Sequence, residues 1–235
     1  MTDLTIASRN GGSFNAHIAL PQTEAAAPCV IVIQEIFGVN EGIRQKCNWL
    51  ASRGFIACAP DLFHQFENGI ELSDSNPDEL QQAFDYFPKF DIEWGIEDIQ
   101  ATLKTLRDYK NSNGKVGTLG YCLGGKLAYL TSCQSDIDVS IGYYGVGIEQ
   151  LLANANNITS PLMLHIAEED GFVPPKAQAQ IHEGLSDNSH VTLHSYAGVD
   201  HAFTREGGDN YNANAAKTAD ERSVSFLKEH LTSRD

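Results

Sequence analysis

The hydrophobic positions of this chain fall into two alternating patterns. Short and continuous apolar runs are typical of buried strands, and most are followed by longer segments in which apolar residues recur with the spacing of a helix. Eight strands are predicted, over residues 4–7, 16–20, 29–33, 56–59, 116–119, 139–143, 162–166 and 191–196. Helices are predicted over residues 42–53, 92–110, 123–133, 176–185 and 215–231. The polar segment 67–88 is predicted to form either a surface excursion or a short helix that starts near Pro77.

The order of these segments predicts an α/β fold. After the first two strands, strands and helices alternate, which favours a mostly parallel sheet with helices on both faces. The first two strands are joined by Asn10-Gly11-Gly12, a hairpin signal that predicts an antiparallel N-terminal edge. The 235 residues are enough for one domain over residues 1–235 and few for two.

The charge of the chain narrows the classes of partner. A formal net charge of −15 argues against nucleic-acid binding, which needs a basic face, and it disfavours anionic membranes. The first residues lack the basic start and long apolar run of a secretory signal. The most apolar stretch nearby, residues 25–33, is too short to span a bilayer. We therefore expect a cytoplasmic protein with no nucleic-acid or membrane partner.

The cysteines are odd in number, scattered, and without a CxxC motif. A disulfide framework or a zinc site is therefore not expected, and the sequence predicts no metal or other cofactor. A cysteine in such a chain is by default a small buried residue with an unreactive thiol. Four cysteines are expected to follow this default: Cys29, Cys47, Cys58 and Cys133.

Cys122 stands in a different context. The predicted strand 116–119 is followed by Gly120-Tyr121-Cys122-Leu123-Gly124-Gly125 and then by a predicted helix. This is the nucleophile elbow of the α/β-hydrolase fold with sulfur in place of oxygen. The turn is so tight that the positions two before and two after the nucleophile need glycine. The sequence therefore predicts Cys122 as nucleophile and the backbone amide of Leu123 as an oxyanion donor; the alternative is a buried packing cysteine.

The general base and the acid are sought after later strands, because the triad of this fold runs nucleophile, acid, histidine along the chain. His201 follows the strand 191–196 in a loop before the last helix, where the base of this fold lies. Asp170 follows the strand 162–166 and precedes Gly171, so it is predicted as the orienting acid. Asp200 is a rival, but adjacent side chains rarely point together well enough to hold an imidazole.

With these motifs the sequence resembles the dienelactone hydrolase (carboxymethylenebutenolidase) family over nearly its whole length. The resemblance rests on Gln34-Glu35-Ile36-Phe37-Gly38, Ala59-Pro60-Asp61-Leu62-Phe63, the cysteine elbow, Glu169-Asp170-Gly171-Phe172-Val173-Pro174 and Asp200-His201-Ala202-Phe203. It implies a triad of Cys122, His201 and Asp170. It also implies that Glu35 contacts the resting thiol and is displaced by substrate, and that the amide of Ile36 is the second oxyanion donor.

The same resemblance implies a substrate class. The family's substrate is an unsaturated lactone with a carboxylate that two arginines hold, and one of these matches Arg205. The other is expected near position 80, but no arginine or lysine occurs between Arg53 and Lys89. Aromatic residues that could line the pocket, or could simply pack in the core, are Phe37, Trp94, Tyr143 and Tyr144.

The expected function is therefore hydrolysis of a small ester or enol lactone through an acyl-cysteine. Such a reaction suits a thiolate, which expels good leaving groups best. Two alternatives remain from the sequence. One is a thioesterase or a general small carboxylesterase on the same scaffold, and the other is a non-catalytic binding module.

Overall fold

The protein is described by a computed structural model that covers residues 2–9 and 11–232. The chain divides into two compact units, Met1–Val116 and Gly117–Asp235. The expectation of one domain over residues 1–235 stays a prediction. The part of the chain that the structure describes forms eight strands and six α-helices.

The first unit holds strands β1–β4, in the order β1-β2-β4-β3, and helices α1–α3. The strands are Thr2–Ala7, Ser13–Ala19, Ala27–Ile33 and Ile56–Pro60, and the helices are Glu41–Ser52, Pro77–Tyr86 and Ile92–Arg107. β2 runs antiparallel to both β1 and β4, whereas β3 and β4 are parallel. The predicted antiparallel N-terminal pair is thus confirmed, although Asn10 of its hairpin signal lies outside the described residues.

The second unit holds a parallel set of strands in the order β5-β6-β7-β8. These strands are Ser112–Tyr121, Val139–Tyr143, Leu162–Ala167 and Val191–Tyr196, and β5 begins in the first unit. The helices are α4, Leu123–Gln134, α5, Pro175–Leu185, and α6, Ala213–Leu231. Every residue of β6 and β7 is buried, which explains why both are mostly apolar in the sequence.

Side chains at the helix starts explain where several helices begin. The side-chain oxygens of Asn40, Asn76 and Asp91 accept hydrogen bonds from the first free backbone N–H groups of α1, α2 and α3. Pro77 occupies the first position of α2, where its missing N–H costs nothing. The short helix predicted near Pro77 is therefore confirmed, and it extends to Tyr86.

Several predicted boundaries were wrong. β5 begins at Ser112 rather than at residue 116, and β2 begins at Ser13 rather than at residue 16. The helix predicted over residues 92–110 ends at Arg107, and β5 already begins at Ser112. Asn111 between them has φ 64°, a left-handed conformation that a helix cannot contain. Within residues 2–9 and 11–232, no helix is both long and apolar enough to cross a membrane. The cytoplasmic location stays a prediction.

Candidate active site

Cys122 sits on a strained turn between β5 and α4. Its φ and ψ are 55° and −113°, a combination that is costly for any residue with a side chain. A Cβ on Gly120 would lie 2.0 Å from the carbonyl oxygen of Gly124. A Cβ on Gly125 would lie 2.6 Å from the carbonyl oxygen of Tyr143. The bend that presents Cys122 is therefore possible only because glycine stands at these positions.

Backbone hydrogen bonds hold this turn on both sides. The N–H of Cys122 donates to the carbonyl oxygen of Tyr143 at 3.0 Å, and the N–H of Lys126 donates to the carbonyl oxygen of Cys122 at 3.2 Å. Leu123 is the first residue of α4, where a backbone N–H has no acceptor within the helix. Its amide therefore has the position that an oxyanion donor requires, and that role stays a prediction.

Asp170 and His201 are in direct contact. Nδ1 of His201 lies 2.9 Å from Oδ2 of Asp170, and the two residues are only 6% and 3% exposed. Oδ1 of Asp170 accepts the backbone N–H groups of Phe172 at 2.8 Å and Val173 at 3.2 Å. The carboxylate is thus held by three donors, and it fixes the orientation of the imidazole ring.

The side chain of His201 is also hydrogen-bonded to the side chain of Cys122. Burial by itself favours the neutral imidazole, but the negative charges of Cys122 and Asp170 and the hydrogen bonds to both outweigh it. Together they raise the pKa of His201 from 6.5 to about 10. At neutral pH, His201 is therefore protonated. The structure brings Cys122, His201 and Asp170 together in one buried hydrogen-bonded series.

This electrostatic arrangement predicts an unusual titration. The imidazole of His201 is expected to lose its proton with a midpoint near pH 10, and the Cys122→Ala variant is expected to titrate at a clearly lower pH. The reason is that the charge of Cys122 is the largest contribution that raises the pKa of His201. An ¹⁵N NMR titration measures both midpoints. A wild-type midpoint near 6.5 would contradict this raised pKa of His201.

Asp200, the alternative candidate for the acid, contacts backbone rather than the imidazole ring. Its Oδ1 accepts the backbone N–H of Gly171 at 3.0 Å and that of His201 at 2.6 Å. Asp200 thus ties the loop of Asp170 to the loop of His201. It contacts the main chain of His201, whereas Asp170 contacts the ring.

Two aromatic rings flank the imidazole of His201. The ring of Tyr144 lies edge-on at 5.0 Å between centroids, and the ring of Phe172 lies edge-on at 4.9 Å. Phe172 is 58% exposed and was not singled out from the sequence, although it stands two residues after Asp170. Nδ2 of Asn210 donates to the carbonyl oxygen of His201 at 3.0 Å, a contact that no local motif indicates.

The other residues predicted for the site lie in various surroundings. Tyr143 is fully buried, and its hydroxyl contacts Asp220 and Ser223, so its side chain packs in the core of the second unit. Arg205 is partly exposed, and its backbone N–H donates to the carbonyl oxygen of Ala202. The role of Arg205 in binding substrate stays a prediction.

Four of the residues predicted for the site belong to the first unit. Glu35, Ile36 and Phe37 lie just after the end of β3, separated from it by Gln34, and all three are buried. Nε1 of Trp94 donates to Oγ of Ser8 at 3.1 Å, and its ring lies edge-on to that of His64. The roles of these four predicted residues toward thiol, oxyanion and substrate stay predictions.

The crowding at the elbow predicts a large loss of stability. The Gly120→Ala variant is expected to lose more than about 4 kcal/mol of unfolding free energy, because the new Cβ collides with backbone that cannot move aside. Urea unfolding followed by circular dichroism measures the loss. Gly42→Ala in α1 is a matched control with room for a Cβ, and it is expected to change stability by less than about 1 kcal/mol. Equal stability of the two variants would contradict the elbow geometry.

Sequence comparison identifies the family of this chain. The model of the dienelactone hydrolase family matches residues 14–231. The chain belongs to this family. The α/β-hydrolase fold expected from the sequence is thereby confirmed, and so is a carboxylic-ester hydrolase at the level of the family.

Several relatives of the family are similar over almost the full length. A carboxymethylenebutenolidase from Pseudomonas putida is 37% identical over 224 residues, which cover 95% of this chain and 94% of that protein. Carboxymethylenebutenolidase 1 from Cupriavidus pinatubonensis is 38% identical over 222 residues, with 94% of each chain covered.

Solved structures share the fold at lower identity. A dienelactone hydrolase from Anabaena variabilis has a TM-score of 0.72 at 13% identity, with 98% of each chain covered. A dienelactone hydrolase-like promiscuous phosphotriesterase from metagenomic libraries has a TM-score of 0.78 at 17% identity, with 98% of this chain and 99% of that one covered. In the part of this chain that the structure describes, no group of three or more His, Cys, Asp or Glu residues could hold a metal ion.

Proposed function

We propose that this dienelactone hydrolase family member cleaves a small ester or enol lactone through an acyl-cysteine on Cys122. The observation that carries the proposal is the buried hydrogen-bonded series of Cys122, His201 and Asp170, with a pKa of His201 raised to about 10. An imidazolium beside a sulfur stabilises the thiolate, which is the reactive form of cysteine. Geometry and charge therefore both favour nucleophilic catalysis over a binding module.

The first half of the reaction forms the acyl-enzyme. The Cys122 thiolate attacks the carbonyl carbon, and the electron pair of the C=O bond moves onto oxygen. The amide of Leu123 at the start of α4 stabilises this oxyanion. The pair then re-forms C=O, the C–O bond to the leaving group breaks, and the leaving oxygen takes a proton from the His201 imidazolium.

The second half returns the enzyme to its starting state. Water attacks the thioester while the now neutral His201 takes a proton from it, and Asp170 holds the ring through Nδ1. The other ring nitrogen, Nε2, is the one that exchanges the proton. Collapse of the second oxyanion expels the Cys122 thiolate and releases the carboxylic acid, so the pair of thiolate and imidazolium is restored.

The substrate class follows from the relatives and from the charges of this chain. Two similar proteins are named carboxymethylenebutenolidases, which favours a lactone. Arg205 supplies one cation, and no lysine or arginine stands between Arg53 and Lys89 to supply the second. We therefore propose small lactones and esters as a class. Thioesters and simple aryl esters are the competing substrates to be tested.

Trapping the intermediate tests the proposal. The protein is mixed with an enol lactone, an aryl ester or a thioester, quenched in acid within the burst phase, and digested for mass spectrometry. The expected result is an acyl group on the peptide that contains Cys122 and on none of the four other cysteines. The ranking of burst rates identifies the preferred bond. Turnover without acylated Cys122 contradicts the mechanism, and no turnover with any compound supports the binding-module alternative.

A further inference from the structure

A chain of six polar side chains lies beneath the candidate active site in the second unit. Its members come from β6, β7, β8 and α6, and consecutive polar atoms are 2.6 to 3.1 Å apart. In order they are Arg222, Tyr196, His165, Ser223, Tyr143 and Asp220. None of these residues belongs to the triad, and five of the six were not predicted from the sequence to have a functional role.

Asp220, at one end of this chain of polar side chains, determines the direction of the first hydrogen bonds. The hydroxyl of Tyr143 has one hydrogen, and it donates this to Oδ1 of Asp220 at 3.0 Å. The 2.6 Å contact between Tyr143 and Ser223 must then be donated by Ser223. Because Ser223 also has a single hydrogen, its 2.9 Å contact with Nε2 of His165 must be donated by His165. Nε2 of His165 therefore carries a proton.

Arg222, at the other end of the polar chain, requires the same positions of the hydrogens. Arg222 can only donate, and its Nη1 lies 3.1 Å from the hydroxyl oxygen of Tyr196. That hydroxyl lies 2.8 Å from Nδ1 of His165. Burial of His165, together with His194 and the cationic Arg222, lowers the pKa of His165 well below its usual value. His165 is therefore neutral, Nδ1 is bare, and Tyr196 donates to it. One assignment of hydrogens satisfies all five contacts.

Two members of the chain also hold the candidate active site through their main chains. The carbonyl oxygen of Tyr143 accepts the N–H of Cys122 at 3.0 Å. The carbonyl oxygen of His165 accepts the N–H of Tyr144 at 2.8 Å, and the ring of Tyr144 packs against His201. The side chains of Tyr143 and His165 are also in ring contact, with centroids 4.3 Å apart. The ends of β6 and β7, which support Cys122 and His201, are therefore held together by these contacts.

We propose that His165, as the Nε2–H tautomer at the centre of this chain, is a positioning residue that aligns Cys122 with His201. This inference rests on the proposed function, because alignment matters only if the two side chains react together. His165 touches neither the substrate nor the reacting atoms. It acts through the backbone of Tyr143 and through the ring of Tyr144.

Removing the central hydroxyl tests the proposal. The Ser223→Ala variant leaves Nε2–H of His165 without its acceptor, and it is expected to lower kcat and the rate of iodoacetamide alkylation of Cys122 by about 10-fold each, with little change in KM. Ser223→Thr keeps the hydroxyl and is expected to restore both to within about 3-fold of the wild type.

A matched control separates alignment from general destabilisation. Ser132 on α4 is also fully buried, and its hydroxyl donates to the carbonyl oxygen of Tyr129 at 2.7 Å without touching the polar chain. Ser132→Ala is expected to lose similar stability and to keep kcat unchanged. Equal kcat in the Ser223→Ala and Ser132→Ala variants would overturn the proposal.

The wild-type protein supplies a test that needs no variant. In ¹⁵N NMR spectra, Nε2 of His165 is expected to carry a proton and Nδ1 to show the shift of a bare nitrogen between pH 6 and 8. A protonated Nδ1 would overturn the assignment even if the Ser223→Ala variant does not fold. Failure of every ester to acylate Cys122 would instead contradict the proposed function, and the tautomer and alkylation results would still decide the inference.

Discussion

The Cys122→Ala variant is expected to lower kcat for an enol lactone by about 10⁴-fold or more. Without the sulfur there is no atom to form the acyl-enzyme, and only transition-state binding by the remaining groups is left. Steady-state hydrolysis at saturating substrate, with the variant checked for native circular dichroism, measures the loss. Because alanine keeps the Cβ and the turn, the variant is expected to fold.

Cys133 provides the control for this experiment. Both cysteines are 8% exposed and stand at the two ends of α4. Burial raises the pKa of the Cys133 thiol, and the hydrogen bonds with Ser132 and Tyr129 offset only part of this rise. Cys133→Ala is therefore expected to keep the full kcat. Comparable activity of the Cys122→Ala variant and the wild type would remove Cys122 from the mechanism.

The second large effect is expected for Asp170→Asn. The amide oxygen can still accept the N–H groups of Phe172 and Val173, but the amide nitrogen then faces Nδ1 of His201. To accept a hydrogen bond from this amide nitrogen, Nδ1 of His201 must lose its hydrogen. The neutral ring then carries its proton on Nε2, which can no longer accept a proton in the reaction. In a serine protease the equivalent change costs about 10⁴-fold in kcat, and a similar loss is expected here. The pKa of His201 is also expected to fall.

Asp200→Asn is the matched variant for Asp170→Asn. Asparagine keeps an oxygen that can accept the backbone N–H groups of Gly171 and His201. The loss of kcat is therefore expected to stay below about 10-fold, although the same charge is removed one residue from the base. If Asp200→Asn were the more damaging change, Asp170 would not be the orienting acid.

The parts of the fold that local sequence determines were predicted well. The bounds of β6 and β8 agree with the structure to the residue, because both segments are rich in the β-branched and aromatic residues that are typical of strands. The elbow at Cys122 was visible because its glycines stand at a fixed spacing that backbone crowding demands. The end of α3 was misplaced, because the left-handed conformation of Asn111 leaves no signal in the helical spacing.

Contacts between distant segments were not predictable in the same way. Ser223 meets His165 across 58 positions, and Asn210 meets the backbone of His201 through a loop without a motif. No periodicity links such residues, since each pair is brought together only when strands and helices have packed. The sequence therefore predicted the strand over residues 162–166, which contains His165, but not the polar chain that runs through it.

The glycines around Cys122 have a consequence for how this scaffold can change. The bend is shaped by main-chain atoms of Gly120, Gly124 and Gly125. Its conformation therefore does not depend on whether residue 122 carries sulfur or oxygen. A Cys122→Ser exchange would swap sulfur for oxygen without any repacking around it. The difference in rate between the two proteins would then reflect the different acidity and polarisability of the thiol and the hydroxyl. This turn can therefore exchange a cysteine nucleophile for a serine nucleophile by a single substitution.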